Sequence, residues 1–569
     1  MGERQEPTLL MKRLIFLLLS IPFFLQAFAQ HEWQLNTALP GKQKEVRAVW
    51  LTTLSGLDWP RKTATTAAGA AEQKRELCDI LDRLQQAGIN TILFQTRIRS
   101  TTAYPSAIEP WDGAFTGTPG RAPLYDPLAF ALEECHKRNM ELHAWVVAFP
   151  ICKTPVEKKL GKKSLPQKRP ELCQRCGDQW MMDPGVPGTD KYLADICREI
   201  VKNYDVDGIH LDYIRYPERG IAFNDNRTYN KYGKKKSKAA WRKENVTRCV
   251  KAIHKAVKDI RPWVKLSCSP IGKYADLRTQ SSYGWNARDA VHQDVQAWLR
   301  DGLMDMIFPM MYFDGKHFYP FAINWKENSY GKPVVPGLGI YFLSEKEKDW
   351  HLNVIRRQLN FLRQEELGGQ AYFRSKFLTD NTKGIYDFVC EDFYHQPAQL
   401  PAMVWVDKSI PQSPKVQLQL KKHTLHLNWN AVADETPIYY NVYRIGENDT
   451  LLIAHRLRTT EYSYTPALPH LLYEKYAVTA VDAYGNESPM ASQQLLIERH
   501  MPAAVSNYVE LPEEETAEYA LVTDIFGRHV LTCRYERRIN VEKLDAGCYE
   551  VRTLGAKGTS HKVAFFRKL

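Results

Sequence analysis

The sequence predicts an α/β architecture, a (β/α)8 TIM-type barrel, followed by two small all-β sandwich-like domains. Three observations predict it. Eight strand-like apolar runs alternate with helical patterns from Glu45 to about residue 405, the alternation that builds a parallel sheet wrapped in helices. A proline-rich stretch, Pro397 to Pro414, then breaks the pattern and reads as a linker. Beyond it, short runs of alternating apolar and polar residues replace the helices, as sheets with one buried face require. A doubly wound sheet is the competing fold, but no glycine-rich phosphate loop follows the first strand.

The chain opens with Met11-Lys12-Arg13, an apolar run from Leu14 to Phe24, and Ala27-Phe28-Ala29. That basic, apolar, small-x-small order is a signal-peptide pattern over residues 1–29. It predicts an exported protein: periplasmic, cell-surface or secreted. A membrane anchor fits less well, because the apolar run is short and ends at a cleavage-like site. No cysteine precedes Cys78, which excludes a lipid anchor there, and no later apolar run is long enough to span a bilayer.

The barrel is expected over residues 44–405. Its strands read as Val46–Thr53, Asn90–Thr96, Met140–Ala148, Val206–Asp212, Val264–Ser269, Asp305–Met311, Val334–Tyr341 and Gly369–Arg374. Between them, apolar residues recur at helical spacing, as Leu77, Ile80, Leu81 and Leu84 do within Glu72–Ala87. Further helices are expected over Pro127–Arg138, Trp241–Ile260, Arg288–Arg300 and Lys346–Arg363. Asp126-Pro127 reads as a cap and first helical residue. Ser344-x-x-Glu347 reads as a capping box. Both assignments remove an acid from the catalytic candidates.

The fourth strand carries the chemistry. Leu193, Ile196, Cys197, Ile200, Val201 and Tyr204 mark an amphipathic helix with Thr189 as its expected cap. The strand that follows alternates its side chains. Ile209 and Leu211 then face the helices, while Gly208, His210 and Asp212 face the axis. Asp207 lies about 16 Å away at the other end and is expected in the entering turn. Asp212 is therefore the first candidate for a catalytic carboxylate.

After the linker come the strands Leu425–Trp429, Tyr439–Arg444 and Tyr473–Asp482, the last opening into the run Tyr476-Ala-Val-Thr-Ala-Val-Asp-Ala-Tyr-Gly-Asn-Glu-Ser488. With Trp429 upstream, residues 412–498 resemble a fibronectin type III domain. The tail, 507–569, has Val522-Thr-Asp-Ile-Phe-Gly-Arg528, Ile539-x-Val541 and Leu544-x-x-Gly547-Cys-Tyr549. It resembles the C-terminal sorting β-domain of type IX secretion systems. Cys533 and Cys548 are candidates to pair.

Active sites of such barrels collect at the C-terminal strand ends. Those ends carry Trp50, Gln95, Arg97, His143, Trp145, His210, Asp212, Arg215, Ser267, Ser269, Tyr312, Asp314, Tyr341, Tyr372 and Arg374. Aromatic rings suit pyranose faces, and arginine forks suit carboxylates. His210 is either a substrate ligand that tunes Asp212 or a buried histidine bonded to a neighbouring strand. His143 reads more as structural. Asp314 is the expected second carboxylate, ahead of Glu109 and Asp183, which lie in long loops.

The chain resembles the glycosyl-hydrolase-like 10 family of exported bacterial proteins. The matching text includes Val46-Arg-Ala-Val-Trp-Leu-Thr52, Tyr125-Asp-Pro-Leu128, Leu142-His-Ala-Trp145, Met182-Asp-Pro-Gly185, Asp207-Gly-Ile-His-Leu-Asp-Tyr-Ile-Arg-Tyr-Pro217, Pro309-Met-Met-Tyr312 and Gly337-Leu-Gly-Ile-Tyr341. The resemblance implies hydrolysis of glycosidic bonds, with peptidoglycan-type glycan strands as substrate class. Met310 stands where the family usually has Gln, and Val147-Ala148 replace a more polar stretch. The alternative is a non-catalytic glycan-binding protein that uses the same mouth.

Composition bounds the partners. A hydrophobic share of 44% and a charged share of 25% describe a globular protein. The net charge of +12 suits an acidic glycan, with lysine runs at 158–163 and 234–238. No nucleic-acid reader fold is present, and export argues against that partner. Eleven scattered cysteines give no disulfide framework. Cys173-x-x-Cys176 lacks the second pair a zinc site needs, so it reads as a local disulfide or free thiols, and no metal or cofactor is expected.

Overall fold

A computed structural model describes residues 44–569 apart from 219, 395, 422–423, 447–449, 466–473, 491–502, 513–516, 526 and 556–561. The signal-peptide expectation lies outside the described residues. The chain forms two compact units that divide between Val406 and Asp407. No described helix is long and apolar enough to cross a membrane.

In the first unit the strands β1 (Val46–Leu51), β2 (Thr91–Arg97), β3 (Glu141–Val147), β4 (Gly208–Asp212), β5 (Lys265–Cys268), β6 (Met306–Ile307), β7 (Gly337–Leu338) and β8 (Gly369–Tyr372) form one parallel sheet. Its order is β7-β8-β1-β2-β3-β4-β5-β6. Backbone bonds from Val335 to Ile307 (2.9 Å), Gly337 to Pro309 (2.8 Å) and Met311 to Gly337 (3.0 Å) close the ring. The outer layer is α1 (Ala67–Gln86), α2 (Pro127–Lys137), α3 (Thr189–Asn203), α4 (Lys238–Lys258), α5 (Val295–Arg300), α6 (Tyr319–Glu327), α7 (Leu352–Gln364) and α8 (Ser375–Thr379). One helix follows each strand, which gives the predicted (β/α)8 barrel.

Local chemistry sets these ends. Asp126 accepts from Ala129 N at 3.0 Å and caps α2 as expected. β6 and β7 are shorter than predicted because Pro309, Pro333 and Pro336 cannot donate to the ladder. Tyr341 consequently lies in a 3-10 turn, Ile340–Leu343. The cap of α3 is Gly188, not Thr189, whose hydroxyl instead donates to Asp183 O at 2.8 Å. The expected capping box is a turn, with Glu347 N on Ser344 O at 3.0 Å; α7 starts later, capped by His351. The helix expected over Arg288–Arg300 breaks at His292, whose φ is +62°. The loop after β3 holds an unforeseen antiparallel sheet of Pro150–Lys153, Gln179–Met182 and Cys173–Cys176. Cys173 and Cys176 are free thiols.

The barrel interior is filled by Val46, Ala48, Trp50, Leu93, Trp145, Val147, Met306, Phe308, Val335 and Ala371. Large rings need small neighbours. A Cβ on Gly208 would meet the His143 ring at 2.6 Å, and one on Gly337 would meet Trp50 at 2.8 Å.

Among its described residues the second unit is all β. Two three-stranded sheets, one of Val416–Lys421, Thr424–Trp429 and Glu461–Tyr464, the other of Tyr439–Ile445, Thr450–Leu457 and Lys475–Val481, supply a core around Trp429, Tyr440 and Tyr476. Residues beyond 502 form a five-stranded and a two-stranded sheet. Cys533 and Cys548, the two candidates to pair, sit on strands either side of Ala517–Asp524 and are free thiols.

Candidate active site

The axis is built in layers. Lowest, Glu141 accepts from Lys265 Nζ at 2.5 Å and pairs with His143 Nε2 at 3.0 Å. His143 is fully buried there, below the mouth. Above it, Trp50 Nε1 donates to His210 Nε2 at 3.2 Å. An accepting Nε2 leaves the ring proton on Nδ1, which sits 3.0 Å from Ser267 Oγ. Burial, aided by the nearby His143, holds the His210 pKa well below the ordinary histidine value. His210 is thus a neutral link between β1 and β5, the second of its two sequence readings.

Asp212 forms the top layer. Oδ1 accepts from Ser269 Oγ and Tyr213 N, each at 2.8 Å, and Oδ2 accepts from Trp145 Nε1 at 3.1 Å. Burial raises its pKa above the usual aspartate value, against the pull of Arg215 and of these three donors. The side chain keeps 7% exposure, so the carboxyl is desolvated yet reachable.

Arg215 stands beside it. Its guanidinium lies 3.8 Å from Asp212 Oδ1 through one amino nitrogen and 3.8 Å from Glu218 Oε1 through the other. It also stacks on Tyr213 at 4.1 Å. Two carboxylates on opposite nitrogens of one guanidinium are no more than about 10 Å apart, close to the spacing of glycosidase pairs, about 5 to 9.5 Å. Tyr213 is held at φ +51° and is 38% exposed, so its ring faces the opening. Tyr312 meets Tyr341 at 5.8 Å and Phe373 at 5.2 Å, and the Asp212 charge helps burial raise its pKa well above the ordinary tyrosine value.

The structure places the other expected residues elsewhere. Gln95 accepts from Thr52 Oγ1 (2.7 Å), Thr53 N (3.0 Å) and Leu54 N (2.9 Å), pinning the loop after β1. Arg97 is fully buried in a two-pronged pair with Glu109, at 2.7 and 2.6 Å, and ties down the end of β3 through Val147 O and Ala148 O. Tyr372 faces the helix layer and bonds Tyr394 Oη at 2.8 Å; strand alternation gives its expected place to Phe373. Arg374 pairs with Asp58 and donates to Leu57 O at 2.7 Å. Asp183 accepts from Thr228, Gly185 and Gln174, a brace in the loop after β3. Asp314 is exposed on the rim, near His317 and Tyr319.

Sequence reasoning missed Tyr213, Glu218 and Phe373. A period-two reading of β8 from the small inward Ala371 finds Phe373. Glu218 lies one residue past the Asp207–Pro217 motif, and only the Arg215 geometry draws attention to it.

The model of the family described as Glycosyl hydrolase-like 10 matches residues 45–341. Glycosyl hydrolase YngK of Bacillus subtilis (strain 168) is 33% identical over 478 residues, spanning 78% of this chain and 92% of that protein. Glycosyl hydrolase DigH of Escherichia coli (strain K12) is 32% identical over 367 residues, spanning 58% of this chain and 83% of that one. Among solved structures, the PgaB (BpsB) glycoside hydrolase domain from Bordetella bronchiseptica aligns at a TM-score of 0.42 with 13% identity, covering 61% of this chain and 98% of that domain.

Proposed function

The chain belongs to the glycosyl hydrolase-like 10 family, and from that premise we propose that it is an exported glycoside hydrolase acting on a bacterial cell-wall, peptidoglycan-type or related glycan. The observation that carries the reading is Asp212. It ends β4 at the barrel mouth, is oriented by three donors, and has a pKa raised by burial. A carboxyl kept protonated beyond the usual range can donate to a leaving glycosidic oxygen. Tyr213, Tyr312, Tyr341 and Phe373 offer ring faces to the sugar.

A second carboxylate completes the chemistry. Asp314 is the sequence's choice, but the guanidinium shared with Asp212 favours Glu218. A catalytic separation near about 5 Å would give retention, and about 6.5 to 9.5 Å inversion. The signal-peptide pattern of residues 1–29 supports export. Residues 412–498 serve as a fibronectin type III-like spacer and 507–569 as a sorting domain, a reading supported by their sequence patterns and β structure.

The test is Asp212→Asn assayed on purified glycan strands. Turnover should fall by at least about 10²-fold, the usual worth of general acid catalysis, with glycan binding retained. Near-wild-type hydrolysis at an unchanged thermal midpoint would overturn the assignment. A second reading, a glycan-binding protein without turnover, is favoured by the exposure of both candidate partners of Asp212, Asp314 on the rim and Glu218 with 45% of its side chain in solvent. Strands bound but never cleaved by the wild type would establish it.

A further inference from the structure

The loops after β1, β2 and β3, at the C-terminal ends of their strands, line an open pocket of about 470 Å3. This is the size range of small-ligand sites, about 300 to 1,000 Å3. Its wall carries Arg61, Arg99, Lys153 and Lys159 against one carboxylate, Asp112. Arg61 is committed to Glu76 at 3.2 Å and Lys153 to Asp178 at 3.1 Å. Among the described residues, Arg99 and Lys159 have no acidic partner, which leaves two positive charges for a ligand. Asp112 is turned to its own loop, accepting from Thr101 Oγ1 at 2.6 Å and Ala114 N at 2.8 Å. Ile98 and Val156 supply apolar wall for the C–H face of a ring.

Arg99 links this pocket to the candidate active site. It is half-buried on the pocket wall, and its charge reaches the Tyr213 phenol, as does that of Asp212. The pocket thus lies within electrostatic reach of Tyr213.

We propose that the pocket is an acidic-sugar subsite, which takes a carboxylate-bearing ring of the glycan and holds that carboxylate by Arg99 and Lys159. The subsite deepens the hydrolase reading and rests on it for the position of the scissile bond. Arginine binds a carboxylate in two-pronged fashion, and each charged hydrogen bond is worth more than a neutral one.

The experiment compares peptide-free peptidoglycan glycan strands, which carry lactyl carboxylates, with the same strands after amidation of those carboxylates. Binding is measured by calorimetry in the full chain carrying Asp212→Asn, and cleavage in the wild type. Adding Arg99→Ala should weaken binding to the acidic strands by about tenfold or more and leave the amidated strands unchanged. Lys159→Glu, at an exposed position, should act in the same direction with an unchanged thermal midpoint, and the preference should shrink as salt rises past about 0.15 M. Equal affinity for both strands, equal losses on both, or no effect of either substitution overturns the subsite. If acidic strands bind through Arg99 but the wild type cleaves neither form, the hydrolase reading fails and the subsite stands. If neither form binds, both fail.

Discussion

Arg97 and Glu109 are charged side chains with 0% and 1% exposure, and they show what a buried pair does at the level of single residues. Tyr192 Oη adds a bond to Glu109 at 3.0 Å, so the carboxylate is saturated from three directions. Removing its charge strands a guanidinium without solvent. Glu109→Gln should therefore cost about 3 to 5 kcal/mol of unfolding free energy, read from urea titrations; a loss below about 1 kcal/mol would contradict the account. The arginine was legible as important from its strand-end position, but its role was not, because the partner lies across a loop that sequence spacing does not fold. His292 offers a pH prediction. Burial, with Arg242 and Lys243 nearby, lowers its pKa to about 4, whereas the unfolded chain titrates near the ordinary 6.5. The unfolded state binds the extra proton first, so stability is complete above about pH 6.5 and is lost as pH falls towards 4. Between pH 7 and 5 the His292 share is about 2 kcal/mol at most. Asp212, with its raised pKa, acts with the opposite sign, so the quantity to measure is wild type minus His292→Asn. A difference that does not shrink on acidification would refute the assignment.

At the scale of elements, the barrel strands were legible wherever they are long, and less so where proline truncates them, as at β6 and β7. Their apolar runs signal burial on both faces, and that signal does not say which residue points inward. Tyr372 and Phe373 exchange places for that reason, and the inserted sheet at 150–182 was hidden because its short strands lack a long apolar run. Gly208 shows how β3 and β4 fit together. It lies opposite His143 in the ladder, and its missing side chain is where the imidazole sits. Gly208→Ala would place a methyl 2.6 Å from that ring, which its bond to Glu141 holds in place. Overpacking of this kind costs about 1 to 3 kcal/mol. The expected result is a lower thermal midpoint with His210 and Asp212 displaced at the strand's far end, and hence a larger fractional loss of turnover than of stability. Unchanged stability would mean the layer is looser than the contact implies.

For the whole molecule, the decisive boundary lies within the proline-rich stretch read as a linker. Its first half belongs to the barrel. Gln399 O accepts from Glu45 N at 3.0 Å, Leu400 packs against the interior cluster, and Met403 is buried. Trp405 Nε1 then donates to Asp305 Oδ1 at 3.1 Å, while Lys258 Nζ holds the other oxygen at 2.7 Å. Composition marked a change of regime here, but proline content cannot distinguish a free tether from a segment that plugs the bottom of a barrel. The bonds make that distinction, since the compact unit ends at Val406 and no earlier. A chain of residues 30–407 should fold as a soluble domain with one cooperative thermal transition. A chain ending at Gln399 retains every strand and helix of the barrel but loses Leu400, Met403 and Trp405. Loss of the buried Met403 side chain alone costs about 2 to 5 kcal/mol, and the half-buried Leu400 and Trp405 add to it, against the roughly 5 to 15 kcal/mol that holds a domain folded. The shorter chain should therefore melt much lower or aggregate. Equal midpoints for the two chains would show that the plug contributes nothing, and insolubility of the longer one would show that the barrel depends on residues beyond Asp407.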